Sequence, residues 1–133
     1  MGILIFINKA PIIWLSKRTN TVETSTFGSE IVAMKYAVEL IESLRYKLRM
    51  FGIPIEGPTN VFCDNKAVTR NCSTPESTLQ KKHHSINYHR NREAVATGTI
   101  RIAWEDTRTN LADVFTKVMS AIQRNGLFDK FMY

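Results

Sequence analysis

The sequence contains a short apolar run, VFC, that stops abruptly at Asp64 and Asn65. An apolar run of this kind predicts a buried strand. Asp and Asn are favoured N-cap residues, so one interpretation is that the segment NKAVTRN begins a helix directly after the strand. The other interpretation is that the strand holds the Asp64 carboxylate at a sheet edge for chemistry. Both interpretations require a strand that is followed at once by a turn.

Strands and helices alternate on both sides of this strand. The segments GILIFI and PIIWLSK predict a hairpin at the start of the chain, and TIRIAWE predicts a strand with one buried face. A long helix follows the hairpin and ends at Gly52 and Pro54. Its apolar face recurs at helical spacing and comprises Ile31, Met34, Val38, Ile41, Leu44 (or Arg45), Leu48 and Phe51.

Further helical segments complete the pattern. After the short helix at NKAVTRN, the segment LQKKHHSINYHRNREAVATG predicts a strongly basic helix that ends at Gly98. Trp14 and Trp104 lie in predicted strands, where we expect both rings in the core. The order of elements predicts one α/β domain over residues 1–133, with a mixed sheet flanked by helices. The segment LADVFTKVMSAI predicts a last helix with an apolar face of Leu111, Val114, Phe115, Val118 and Ile122.

Composition and charge narrow the class of protein. The hydrophobic fraction of 44% is that of an ordinary globule with a core, and the formal charge of +6 favours an anionic partner, nucleic acid first. Cys63 and Cys72 form neither a metal-type spacing nor a disulfide framework, which favours a reducing compartment. The apolar start lacks a basic region and is interrupted by Asn8 and Lys9, so we expect neither a signal peptide nor a membrane span.

Three carboxylates occupy special places in this layout. Glu30 opens the long helix, Asp64 ends the central strand, and Asp113 lies in the first turn of the last helix, three residues after Asn110. Taken singly, each has an ordinary explanation. Acids near a helix N-terminus interact favourably with the helix dipole, Asp64 is a candidate N-cap, and the spacing of Asn110 and Asp113 is typical of a capping box.

Taken together, the three acids indicate a metal site. Strand ends and helix starts meet at one edge of an α/β sheet, where clustered carboxylates repel one another unless a cation lies between them. Their hard oxygen atoms suit Mg²⁺. Carboxylates around two such ions, roughly 4 Å apart, can cleave phosphodiesters by activating water and stabilising the leaving oxygen. The pattern therefore predicts a nuclease.

Four ordered motifs carry a more specific resemblance. ETSTFGSEIVAM, VFCDNKAV, KKHHSINYHRNREAV and TNLADVFTKVM resemble, in this order and spacing, the ribonuclease H domain of copia-type retrotransposon Pol polyproteins. The resemblance covers nearly the whole chain and implies a ribonuclease H-like fold. It also implies that Glu30, Asp64 and Asp113 are catalytic residues that bind Mg²⁺ or Mn²⁺. The implied substrate is RNA in an RNA:DNA hybrid, and the implied neighbour is the upstream polymerase part of the polyprotein.

The sequence departs from the family in one important respect. The family has a fourth acid, an aspartate on a first strand, whereas no aspartate precedes Asp64 in this sequence. We therefore expect an N-terminally incomplete domain whose turnover is impaired. A catalytically inactive nucleic-acid-binding module and a non-functional relic of the element are the alternatives. The resemblance places the protein in the cytoplasm, within virus-like particles, or in the nucleus, without a membrane partner.

The basic segment is the predicted nucleic-acid contact, because cationic side chains on a helix can bind phosphates without reading sequence. The alternative is a solvated basic face. A zinc site is disfavoured, since adjacent His83 and His84 point in different directions on a helix and no Cys or acid completes a tetrahedron. The predicted nucleic-acid-binding residues are Lys81, Lys82, His84, His89, Arg90, Arg92 and, beside Asp64, Asn65.

Overall fold

The computed structural model describes residues 1–18, 25–74 and 84–132. Lys81, Lys82 and His83 lie outside the described residues. The strands are β1 (Gly2–Ile7), β2 (Ala10–Ser16), β3 (Thr59–Cys63) and β4 (Ile100–Trp104). The helices are α1 (Thr26–Met50), α2 (Lys66–Ser73), α3 (Ser85–Ala96) and α4 (Ala121–Phe128), with a 3₁₀ helix at Leu111–Phe115.

The predicted α/β class is confirmed, and small sheets flanked by helices are compatible with a ribonuclease H-like fold. Both parallel and antiparallel strand pairs occur, as expected for a mixed sheet. Among the described residues they lie in separate two-stranded sheets, β1 with β2 antiparallel and β3 with β4 parallel. The chain divides into two compact units: a hairpin unit from residues 1–22 and 106–133, and a central unit from residues 23–105. That the whole chain forms one domain stays a prediction.

The hairpin unit is built on β1 and β2, which pair from Gly2 opposite Ser16 onward. The 3₁₀ helix packs so closely on β1 that a Cβ at Gly2 would lie 2.7 Å from the carbonyl oxygen of Ala112. The Ser16 hydroxyl donates to the carbonyl of Phe115 over 2.7 Å. Only a residue without a side chain allows this approach, which explains glycine at the start of β1.

The predicted last helix over residues 111–122 is wrong. The chain instead forms the 3₁₀ helix and then, after a break, α4. The Ser120 hydroxyl caps α4 by accepting from the Gln123 amide, so a new helix begins where the periodicity predicted a continuous one. Val118 and Ile122, expected on the buried face, are exposed.

In the central unit, α1 packs against α3, and α2 packs against α3 and β4. The Ser25 hydroxyl caps the start of α1 by accepting from the Gly28 amide, and Gly52, with φ of 77°, follows its end. Asn91 of α3 donates from its amide to the carbonyl of Ile31 over 3.1 Å. Gly98, with φ of 73°, ends α3 as predicted. The largest fully buried apolar side chains here are Ile31, Val38, Val68 and Ile100.

Three aromatic side chains lie elsewhere than predicted. Phe51 lies beyond the last residue of α1 and is exposed. The expectation of a core position is wrong for Trp14, which is 66% exposed on β2, and for Trp104, which is 44% exposed at the last residue of β4. No residue of β2 is fully buried, and Trp104 is the last residue of β4. Within the part of the chain that is described, none of the helices has both the length and the apolar character needed to cross a bilayer.

Candidate metal centre

Glu30 of α1 and Asp64, which follows β3, converge with Cys63 at the carboxyl end of β3. One ligand atom from each of the three side chains lies within 4.8 Å of the other two. Both carboxylates are half-buried. The cap at Ser25 starts α1 one turn before Glu30, and the parallel pairing of β3 with β4 ends at Cys63. Two of the three predicted acids are therefore brought together.

Cys63 lies between these acids as a neutral thiol. Its Sγ is 3.8 Å from Oε2 of Glu30 and 3.9 Å from the carbonyl oxygen of Asn65. Burial raises the pKa of Cys63 to about 12, a backbone hydrogen bond with Asn65 opposes this shift, and the charges of Glu30 and Asp64 act in the same direction as burial. At neutral pH the thiol stays protonated and is a weak donor, which leaves the two carboxylates as the anionic groups of the cluster.

The residue that caps α2 is Asn65, not Asp64. The Asn65 side-chain oxygen accepts from the amides of Ala67 (2.9 Å) and Val68 (3.3 Å). The first interpretation of the VFCDN segment, a helix that begins directly after the strand, is therefore confirmed, and the N-cap residue is Asn65. The carboxylate beside it belongs to the cluster with Glu30.

Trp104 braces the peptide that carries Asp64. Its indole Nε1 donates to the Asp64 carbonyl over 3.2 Å, and the amide of Glu105 donates to the carbonyl of Cys63 over 2.9 Å. The Lys66 ammonium lies 4.4 Å from the centre of the Trp104 ring, a cation–π distance. Sequence reasoning missed this role. The available signal was the position of Trp104 next to the end of its predicted strand, where a side chain can reach past the sheet edge.

Asp113 belongs to the hairpin unit, in the 3₁₀ helix. Its side chain is 10% exposed, and Lys117, one turn later, donates to its carboxylate over 2.6 Å. The Asn110 side chain caps the same turn through the Ala112 amide. The ammonium of Lys117 thus compensates the Asp113 charge within this unit.

The basic residues of α3 lie mostly in contacts inside the central unit. Arg90 forms ion pairs with Glu42 of α1 and with Glu93. Arg92 donates to the Tyr88 hydroxyl and to the carbonyl of Asn71. These contacts join α3 to α1 and α2.

The two described histidines of the basic segment differ in exposure. His84 is only 1% exposed, with its ring edge-on to Phe27 at 6.4 Å between centres. That position does not present its imidazole to a nucleic acid. His89 is exposed beside Tyr88, so it is the histidine that a phosphate backbone can reach.

The chain is similar to a segment of two retrovirus-related Pol polyproteins from transposons of Arabidopsis thaliana. It is 28% identical over 121 residues to the Pol polyprotein from transposon RE2 of Arabidopsis thaliana, which covers 91% of this chain. Over 119 residues, or 90% of this chain, it is 29% identical to the Pol polyprotein from transposon RE1 of the same plant. The chain spans 8% of the length of either relative. No family model and no solved structure matches it.

Proposed function

We propose that this chain is the ribonuclease H-type segment of a retrotransposon Pol polyprotein, which hydrolyses RNA in RNA:DNA hybrids with Mg²⁺ or Mn²⁺. The observation that carries the proposal is the convergence of Glu30 and Asp64 at the carboxyl end of β3. Similarity to a segment of two retrovirus-related Pol polyproteins supports it, because the sequence motifs resemble the ribonuclease H domain of polyproteins of this kind.

The residues of the cluster suit a hard divalent cation. Two carboxylates within 4.8 Å repel each other, and a cation between them removes that cost. Mg²⁺ is commonly bound through one or two carboxylates and completes its coordination with water and substrate phosphate. When bound, such an ion supplies a more acidic water and stabilises the leaving oxygen. Glu30 and Asp64 would hold it, and their half-burial leaves one side open to a phosphate.

Asp113 is the proposed third ligand, by resemblance. Its ion pair with Lys117 offsets the cost of burying a carboxylate before any metal binds. The family's fourth acid has no counterpart before Asp64 in the 133 residues. We therefore expect slow turnover by this chain. Metal binding is then a more sensitive test of the site than cleavage is.

Two measurements test the proposal on the same protein preparations. The first is cleavage of an end-labelled RNA:DNA hybrid with Mg²⁺, with Mn²⁺ and without metal. The second is Mn²⁺ binding followed by the electron-paramagnetic-resonance signal of the free ion. The variants are Glu30→Gln and Asp64→Asn, with Glu39→Gln and Asp129→Asn as exposed controls with the same change of charge.

We expect Glu30→Gln and Asp64→Asn each to weaken Mn²⁺ binding at least tenfold and to abolish any cleavage that the parent shows. The two control variants should equal the parent in both measurements. An Mn²⁺ affinity that is the same in Asp64→Asn as in the parent would overturn the proposal. Metal-independent hybrid binding without cleavage would identify an inactive nucleic-acid-binding module instead.

A further inference from the structure

The central unit has a groove of about 430 Å³ at the opposite end of the β3–β4 pair from the acid cluster. Its walls are the last turns of α1, the loop before β3, and the loop before β4. Arg45, Tyr46 and Arg49 line it from the helix, and Thr97 and Thr99 line it from the loop. The groove therefore collects two guanidinium groups and three hydroxyl-bearing side chains.

Arg45 is held in place by neighbouring oxygen atoms. One guanidinium nitrogen donates to the Thr59 hydroxyl over 3.0 Å and another donates to the Gly57 carbonyl over 2.9 Å. Burial, and then the charge of Arg49, lower the pKa of Arg45. The second effect means that two like charges on successive turns already repel each other at the groove, and a bound anion would relieve this repulsion.

The acid in the groove lining is Glu42, and Arg90 of α3 forms an ion pair with it. Because Glu42 already pairs with Arg90, its carboxylate alone does not balance the positive charges of Arg45 and Arg49. The helix dipole favours cations near the end of α1, where the last turn holds Lys47 and Arg49. It does not account for two arginines four residues apart on the side that faces a groove. The Thr97 and Thr99 hydroxyls lie 3.1 Å apart on the facing wall, and the Thr97 hydroxyl also donates to the carbonyl of Ala94.

We propose that this groove binds a backbone phosphate of the nucleic acid at a distance from the acid cluster. The proposal rests on the proposed function only for the source of that phosphate. Thr59 and Asp64 lie at the two ends of β3, about 16 Å apart at the usual rise of a strand. With one charge per 3.4 Å of axis on each strand, that distance corresponds to about five nucleotides. The groove then holds the hybrid on one side of the cleavage point.

The test compares Arg49→Gln with Lys47→Gln, which removes the same charge from the exposed opposite side of the same helix. Both changes are made in the Asp64→Asn protein without divalent metal, so cleavage plays no part. Affinity for an RNA:DNA hybrid longer than one helical turn is measured across a series of salt concentrations. Arg49→Lys serves as the conservative variant, and circular dichroism checks that each protein is folded.

We expect Arg49→Gln to weaken binding several-fold at low salt and to lower the slope of log affinity against log salt by about 0.7 to 0.9, the loss of one phosphate contact. Lys47→Gln and Arg49→Lys should keep the parental slope. An unchanged slope in a folded Arg49→Gln protein would overturn the proposal. Titration with inorganic phosphate, followed by phosphorus NMR, separates the sources. Phosphate binding that depends on Arg49, combined with an unchanged hybrid slope, assigns the groove to free phosphate and overturns the nucleic-acid assignment.

The two proposals fail in different ways. If Arg49→Gln lowers the salt slope but Asp64→Asn leaves the Mn²⁺ affinity unchanged, the proposed function is wrong and the phosphate site in the groove stands. If Asp64→Asn weakens Mn²⁺ binding but Arg49→Gln leaves the salt slope unchanged, only the phosphate site in the groove is wrong.

Discussion

The indole Nε1 of Trp104 donates a hydrogen bond to the main-chain carbonyl of Asp64, 3.2 Å away. This contact ties the last residue of β4 to the residue that follows β3, one step beyond the pairing of Cys63 with Trp104. The peptide that carries a candidate metal ligand is therefore positioned by the side chain of a neighbouring strand, and not only by its own turn.

Replacing Trp104 with Phe tests this brace. The change keeps an aromatic ring beneath Lys66 but removes the N–H donor, so we expect a loss of about 1 kcal/mol in the free energy of unfolding. Mn²⁺ affinity should fall several-fold, because the Asp64 peptide is less constrained. Urea denaturation and the free-Mn²⁺ signal provide the measurements. Trp14→Phe, on an exposed position of β2, is the control. A Trp104→Phe protein equal to the parent in both properties would show that the hydrogen bond is incidental.

Replacing Asn65 with Ala removes the cap of α2. Loss of the two hydrogen bonds to Ala67 and Val68 should lower the free energy of unfolding by about 0.5–2 kcal/mol. Asn65→Ser, which keeps a capping oxygen, should lose much less. Amide hydrogen exchange at the two capped positions measures the local effect directly. Equal exchange rates in the parent and in Asn65→Ala would contradict the assigned cap.

Alkaline pH should destabilise the protein through Cys72. Burial raises the pKa of this thiol from 9.0 to about 11, against the opposing effects of Arg92 and of a hydrogen bond with Asn91. Between these two pKa values the unfolded chain releases the proton and the folded chain keeps it, so stability falls as pH rises. Below the lower value both states are protonated and the group has no effect.

At 1.36 kcal/mol per pKa unit, this group should remove about 2–3 kcal/mol between roughly pH 9 and pH 11. Other groups titrate in the same range, so the measurement is the difference in unfolding free energy between the parent and Cys72→Ala at several pH values. That difference should shrink as pH rises. A difference independent of pH would mean that the thiol titrates normally.

Replacing Arg90 with Gln should affect stability more than nucleic-acid affinity. The guanidinium joins α3 to α1 through Glu42 and also contacts Glu93, with Arg90 and Glu42 each about one-third exposed. We expect a loss of about 1 kcal/mol in the free energy of unfolding. A double-mutant cycle with Glu42→Gln isolates the pair, and Arg124→Gln, on an exposed part of α4, is the control. If hybrid binding weakens tenfold while stability is unchanged, Arg90 is a nucleic-acid contact, as the sequence alone predicted.

Much of the central unit was predictable from sequence. The spacing of Ile31, Met34, Val38 and Ile41 predicted the buried face of α1, and all four side chains are buried. Gly98 ends α3 where expected, and β3 stops before Asp64 as its composition indicated. These features depend on residues a few positions apart, so a local pattern contains the information.

The errors arose where distant parts of the chain decide the outcome. The periodicity of residues 111–122 predicted one helix, but close packing of the 3₁₀ helix on Gly2 and a fresh cap at Ser120 divide the segment. Tertiary contacts also decide the partners of α3: Arg90 pairs with Glu42, which is 48 residues away in the chain, while the phosphate-binding role of the basic segment stays a prediction.

The sequence by itself determined the α/β class, the main helices and strands, and the placing of Asp64 where a strand ends; Glu30 was predicted to open α1 but lies one turn after its start. Hydrophobic periodicity and capping residues suffice for that, because both act over one or two turns. Only the tertiary structure decided that Cys63 lies between the two acids, that Trp104 braces Asp64, and that Arg45 and Arg49 face a groove. Those relationships depend on packing between elements far apart in the chain, where burial and charge set which side chains meet.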